Sequence, residues 1–87
     1  MEKVSSTGRE TYNSQIGNFV AAYTKTTTSS NVVISVDVKK ESETVYTSAY
    51  DKNGNRYSGG FKKFDSLKAE ERVAIVSQVM KDVNSII

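Results

Sequence analysis

Hydrophobic and polar positions alternate most clearly between Val45 and Phe61, where two short runs flank Asn53-Gly54. This dipeptide tolerates the positive φ values of a two-residue type I′ turn, so the pattern predicts a β-hairpin closed on it. The turn fixes the register of the hairpin. The predicted pairs are Asp51 with Arg56, Tyr50 with Tyr57, Ser48 with Gly59, and Tyr46 with Phe61. One face then carries aromatic rings, and the other carries small and polar side chains.

A run rich in β-branched residues, from Asn31 to Lys39, predicts the preceding strand. Val32, Ile34 and Val36 share the aromatic face of the hairpin if the connection holds an odd number of residues, for example Lys40-Glu41-Ser42. We therefore expect a three- or five-residue turn with a bulge, and a three-stranded antiparallel meander. In this arrangement Val32 to Val38 form a free edge that could support a homodimer.

Two further segments carry apolar residues at helical spacing. The first follows a capping box at Thr7-Gly8-Arg9-Glu10, and the second follows a candidate N-cap at Asp65 or Ser66. The first apolar stripe is Tyr12, Ile16, Phe19, Val20 and Tyr23. The second is Val73, Val76, Met80, Val83 and Ile87, widened by Ala69, Val79 and Ile86. Both stripes predict amphipathic helices.

Together these elements predict one small α+β domain spanning residues 1–87. The expected architecture is a two-layer sandwich of order α-β-β-β-α, in which both helices cover the aromatic face of the three-stranded antiparallel meander. Residues 1–6 are expected to form a flexible polar tail. Residues 24–30, which are mostly threonine and serine, are expected to form an exposed loop.

The composition limits the chemistry. With 87 residues, of which 37% are hydrophobic and 25% charged, the chain has the balance of a small globular domain. It contains neither cysteine nor histidine, which excludes thiolate and imidazole nucleophiles and the usual zinc sites. We therefore expect a non-enzymatic protein without a cofactor. The lack of an apolar leader or a long apolar run favours a cytoplasmic location.

Two segments with acidic residues resemble metal or catalytic sites in part. Asp51-Lys52-Asn53-Gly54-Asn55 imitates the start of a calcium-binding EF-hand loop, but Arg56 and Lys62 stand where that loop needs glycine and glutamate. Glu70 and Glu71 are adjacent on a predicted helix, so their carboxylates point about 100° apart and cannot act as an acid/base pair. The sequence predicts no metal site and no catalytic site.

The formal net charge is only +2, but the basic residues are unevenly distributed. The segment between Asp51 and Asp65 contains four basic residues and no acidic one. A basic ridge with hydroxyl partners could contact phosphates. The candidate binding residues are Lys39, Arg56, Lys62, Lys63 and Lys68, with Thr47 and Ser58.

The predicted order of a helix, a three-stranded meander and a helix resembles the double-stranded RNA-binding domain. The portion from Tyr50 to Glu71 is similar to sheet-type DNA readers, such as the plant ethylene-response domains and the recombinase arm-binding domains. In size and style the chain also resembles phage and mobile-element proteins that inhibit host enzymes, including anti-CRISPR proteins. The first two resemblances imply nucleic-acid binding, and the third implies a protein partner.

We expect a small protein-binding module, of the kind found among phage inhibitors and accessory proteins, which acts through its open sheet face or an edge strand. The alternative is a nucleic-acid-binding domain that uses the basic ridge on the hairpin and the start of the last helix.

Overall fold

A computed structural model describes the backbone of residues 2–6, 9–62 and 64–87, and the side chains of residues 9–62 and 65–87. Within these ranges the chain forms six strands, a short 3₁₀ helix at Phe64–Ser66 and one α-helix. The elements are β1 (Glu2–Ser6), β2 (Arg9–Ile16), β3 (Phe19–Thr27), β4 (Val32–Lys40), β5 (Glu43–Asp51), β6 (Arg56–Phe61) and α1 (Ala69–Ile86).

The strands form one antiparallel sheet in sequence order, with β1 and β6 at its edges. The expected α-β-β-β-α sandwich is therefore wrong, because the sheet has six strands and α1 is the one α-helix in the described ranges. The predicted edge strand, Val32 to Val38, lies inside the sheet and pairs with β3 and β5. Its backbone groups are consumed by these ladders, so it cannot support a homodimer by strand addition.

The predicted N-terminal helix is instead the β2–β3 hairpin, which turns at Gly17-Asn18 with φ = 60° at Gly17. Tyr12 pairs with Tyr23 and Ile16 pairs with Phe19. A spacing of four residues keeps two side chains on one face of a strand as well as of a helix, and the turn then brings Phe19 onto the face of Ile16. A helix and a hairpin both place these residues on one face, and the pairing of β2 with β3 selects the hairpin.

The strands also extend into both segments that the sequence analysis left irregular. Residues 2–6, expected as a polar tail, form β1 and pair with β2. Residues 24–27 belong to β3, so the connection to β4 is shorter than the predicted loop of residues 24–30. Threonine is β-branched and fits a strand well once a neighbouring strand can pair with it.

The predicted hairpin register is confirmed, because Asp51, Tyr50, Ser48 and Tyr46 pair as expected across β5 and β6. The turn differs from the predicted type I′ geometry. The backbone N–H of Asn55 donates to the carbonyl of Lys52 at 3.2 Å, and the positive φ of this turn, 47°, falls on Asn55. The loop therefore resembles the longer hairpin loops built on a simple β-turn.

The parity argument for the β4–β5 connection holds, since Ile34 lies opposite Tyr50 and shares its face. The predicted three- or five-residue turn is wrong, because the connection has two residues, Glu41 and Ser42, with φ = 59° at Glu41. A bulge supplies the odd residue, because Val38 pairs with Tyr46 whereas Lys39 pairs with Thr44. The bulge leaves Val45 as the extra residue on β5.

The helix α1 begins after Lys68, whose backbone N–H donates to the Glu71 carboxylate at 2.8 Å. Asp65 and Ser66 belong to the preceding 3₁₀ helix, so neither is the N-cap. The core lies between α1 and one face of the sheet. It is built from Ile16, Phe19, Ala21, Tyr23, Ile34, Val36, Val38, Val45, Tyr46, Leu67, Ile75, Val79, Val83 and Ile86.

Buried polar contacts fix α1 on the sheet. The Tyr23 hydroxyl donates to the buried Asp82 carboxylate at 2.6 Å, and the Gln78 side chain donates to the same carboxylate at 2.9 Å. The Lys25 ammonium donates to the Ile86 carbonyl at 2.5 Å, near the C-terminal end of the helix dipole. Burial and the hydrogen bond to Asp82 raise the pKa of the Tyr23 phenol well above its ordinary value.

Tyr23→Phe is expected to lower the free energy of unfolding by about 1–3 kcal/mol, because it leaves the Asp82 carboxylate buried with one donor fewer. Urea denaturation at neutral pH measures this loss. Tyr12→Phe is the matched control, because the Tyr12 hydroxyl donates to the half-buried Glu10 carboxylate on the same strand, β2. Equal effects of the two substitutions would contradict a special role for the contact between Tyr23 and Asp82.

The raised pKa of Tyr23 also makes the stability of the fold depend on pH in the alkaline range. Below a pH of about 10, both the folded and the unfolded chain keep the phenol proton. Above it the unfolded chain ionises first, so the free energy of unfolding falls by about 1.4 kcal/mol per pH unit for such a tyrosine. In Tyr23→Phe this fall should be shallower. Urea midpoints measured between neutral and strongly alkaline pH test the difference.

Candidate partner-binding surface

The predicted binding residues do not form one cluster. Within β5 and β6, Thr47, Arg56 and Ser58 project from the sheet face opposite α1, as predicted. Arg56 begins β6 whereas Lys62 follows its end, so about 20 Å of strand separates the two. A compact basic ridge is therefore absent from the described part of this face.

The other predicted cations lie apart from these. The Lys39 ammonium is 3.9 Å from the Asp37 carboxylate, which offsets its charge. Lys68 precedes α1 in the helical layer. Lys63 lies outside the described residues. Of the candidate phosphate contacts, the structure thus brings together only Thr47 and Ser58 with neighbouring small residues on β5 and β6.

The loop that imitates an EF-hand has a structural role. The Asp51 carboxylate accepts hydrogen bonds from the Asn31 side chain at 2.7 Å and from the Gly54 backbone at 3.2 Å. The Asn31 side-chain oxygen accepts from the backbone N–H groups of Val32 and Asn53, both at 2.8 Å. The hydrogen bonds that the Asp51 carboxylate accepts lower the pKa of Asp51, and the bond from Asn31 has the largest effect. The network joins the β3–β4 and β5–β6 connections.

Among the residues whose side chains the structure describes, no three histidine, cysteine or acidic side chains come together in a group that could hold a metal ion.

A surface that the sequence analysis missed lies where α1 leaves part of the sheet uncovered. Six strands at a spacing of about 4.8 Å span about 24 Å, whereas one helix is only about 10 Å wide. The helix approaches β2 and β4 most closely. As a result, Tyr50, Tyr57 and Phe61 on the β5–β6 hairpin are half-buried rather than covered.

The helix presents apolar side chains to this uncovered part of the sheet. The predicted stripe of α1 is wrong for three of its five members, because Val73, Met80 and Ile87 are 65%, 44% and 36% exposed. The buried stripe is Ile75, Val79, Val83 and Ile86, with Asp82 among them. The apolar arc of α1 is thus wider than the part of the helix surface that the sheet buries. Ile75, which the predicted stripe omitted, is the residue that could have revealed this width.

Between α1 and β6 lies a groove with a volume of about 340 Å³, which we call the α1–β6 groove. Its lining residues are Phe61, Arg72, Val73, Val76 and Ser77. Phe61 lines the groove from β6 and packs against Tyr46, with ring centroids 4.6 Å apart. The groove is therefore apolar, open to solvent and bounded by the edge strand of the sheet.

A tyrosine pair supports the strand beside the groove. The Tyr46 and Tyr57 hydroxyls lie 2.9 Å apart, and the Tyr46 side chain crosses directly over Gly59 to reach its partner. Burial, together with this hydrogen bond, raises the pKa of Tyr46 to about 12. Gly59 is needed here because any side chain would occupy the space of the Tyr46 hydroxyl.

Gly59→Ala is expected to reduce the free energy of unfolding by about 1–3 kcal/mol through overpacking. The added methyl group would collide with the Tyr46 hydroxyl and lie 3.0 Å from the Ser48 Cβ. Gly60→Ala is the matched control, because a Cβ there has no neighbour within 4 Å, and it should stabilise by about 0.5–1 kcal/mol. Chemical denaturation of both variants tests the pair. Similar stabilities would show that Tyr46 moves aside at little cost.

In the described ranges, no helix has the length and apolar character needed to cross a bilayer. Comparison of the chain with protein-family models, with curated proteins and with solved structures finds no match.

Proposed function

We propose that this chain is a non-enzymatic protein-binding module and that its partner docks in the α1–β6 groove. The observation that carries the proposal is the exposure of Val73 in the groove that it shares with the half-buried Phe61 ring of the β5–β6 hairpin. A contiguous apolar surface next to an edge strand is characteristic of an interaction site. This location replaces the predicted edge at Val32 to Val38.

A protein partner suits this groove better than a small molecule does. Small-molecule sites enclose most of the ligand in a deep pocket with convergent polar groups. The α1–β6 groove is shallow and open along its length, and its apolar lining comes from both a helix and a strand. That this binding serves a phage-type inhibitor or accessory protein stays a prediction.

The proposal can be tested without knowledge of the natural partner. Peptides selected from a random display library on the immobilised protein are retested against Val73→Asp, which places a charge in the groove. We expect binding to weaken about tenfold or more, because the carboxylate must be desolvated against apolar side chains. Ala74→Asp introduces the same residue at the next exposed helix position, which faces the β2–β3 turn.

Peptide binding should be unchanged in Ala74→Asp. Circular dichroism of both variants confirms that α1 remains folded. If no peptide is selected, or if both variants bind the selected peptides equally well, the groove is not a binding surface for proteins.

The alternative, nucleic-acid binding, has a separate test. Because Arg56 and Lys62 lie at opposite ends of β6, we expect the protein to leave the electrophoretic mobility of short duplex and single-stranded DNA and RNA unchanged. The assay is run at two salt concentrations, since phosphate contacts weaken steeply with added salt. A salt-sensitive shift that Arg56→Glu abolishes would favour the alternative.

A further inference from the structure

We infer that the occupant of the α1–β6 groove is an extended, acidic segment of a partner protein, which adds to β6 as a further strand. This inference rests on the proposed function, because it specifies the chemistry of the partner at the same surface. Three observations carry it: the outward-facing backbone of β6, the alternation of side chains along it, and the distribution of charge around it.

The backbone of β6 offers hydrogen-bonding groups at the sheet edge. Among the described strands, β6 pairs with β5 alone. The backbone N–H of Lys62 donates to the Val45 carbonyl on β5 at 2.8 Å. Because successive residues of an antiparallel strand alternate in direction, Tyr57 and Gly59 direct their N–H and C=O groups away from β5. These groups can pair with an added strand.

Side chains along β6 alternate in a way that suits such a strand. Tyr57 and Phe61 lie on the face that carries α1, whereas Arg56 and Ser58 lie on the open face. Gly60 contributes no side chain, and the space above it is empty to 4 Å. An added strand would place apolar side chains at alternate positions, where they meet Phe61 and the exposed valine of α1. Its intervening side chains would lie on the open face.

The charge around β6 selects an acidic partner. Residues 52–64 contain Lys52, Arg56, Lys62 and Lys63, and no acidic residue. The acid that precedes this segment, Asp51, lies opposite Arg56, and its carboxylate also accepts hydrogen bonds from Asn31 and Gly54, so the basic residues remain in excess. A second copy of this chain would bring the same cations to the shared edge, and like charges across paired strands are destabilising. Opposite charge instead steers and orients an acidic strand.

The probe peptide acetyl-Glu-Val-Thr-Val-Thr-Val-Glu-amide follows from this geometry. Paired antiparallel to β6, its terminal glutamates face Lys62 and Arg56, and its valines lie opposite Phe61, Gly59 and Tyr57. We expect fluorescence anisotropy to show binding of this peptide. The same peptide with lysine in place of both glutamates should bind about tenfold more weakly or not at all.

Backbone methylation tests strand pairing directly. The N–H of the central valine would donate to the carbonyl of Gly59, so an N-methyl group there should abolish binding. An N-methyl group on the first threonine is the matched control, because that N–H would point away from β6. If the two methylated peptides bind equally well, strand addition is wrong.

Charge reversal on the protein gives the reciprocal test. The double variant Arg56→Glu/Lys62→Glu should lose affinity for the glutamate peptide by about tenfold or more and should gain affinity for the lysine peptide. Arg9→Glu is the control, since Arg9 is exposed on β2 near the opposite edge of the sheet. It should leave the binding of both peptides unchanged. If the double variant does not come to prefer the lysine peptide over the glutamate peptide, the inference of an acidic partner is wrong.

The two proposals fail in distinguishable ways. Selected library peptides that require Val73, become helical on binding and ignore the double charge reversal would overturn strand addition but keep the groove as a protein-binding surface. A stable dimer of the free protein, dissociated by Val73→Asp, would replace the acidic strand by a second copy. If neither the probe nor any library peptide binds, both proposals are rejected.

Discussion

The hydrogen bond between the Tyr23 hydroxyl and the Asp82 carboxylate is the contact on which the arrangement of the helical layer depends. A buried carboxylate needs donors, and it finds them in Tyr23 and in Gln78. Meeting this requirement turns the side of α1 that bears Asp82 toward the sheet. The same rotation moves Val73 and Met80 away from the sheet centre. Because Asp82 lies among the buried apolar residues of α1, the polar contact and that apolar stripe together leave Val73 and Met80 on the surface.

The second constraint is one of width, because a single helix cannot cover six strands. The helix packs on the central strands, and the aromatic face of the β5–β6 hairpin stays half-buried. The tyrosine pair and the close approach of Tyr46 to Gly59 support this hairpin. The uncovered region is consequently a shaped surface with a supported strand at its border, and this supports its proposed role in binding.

The edge strand β6 borders that surface and offers a place where another strand can pair. Exposed edge strands attract other strands, and proteins commonly protect them with charge. Residues 52–64, which include β6, carry four basic side chains and no acidic one, and this excess repels a second copy of the chain and favours a partner of opposite sign. Protection against self-association and selection of an acidic strand thus follow from the same basic side chains.

The sequence by itself determined the β5–β6 register, the face shared by β4 and β5, and the presence of a C-terminal helix, because local alternation and turn residues specify these features. It could not determine the N-terminal half, since Tyr12, Ile16, Phe19 and Tyr23 share one face either on a helix or across a hairpin. The sequence likewise could not determine the α1–β6 groove. Which side of the apolar arc of α1 is buried depends on Tyr23, 59 residues away from Asp82, and only the tertiary structure brings the two together.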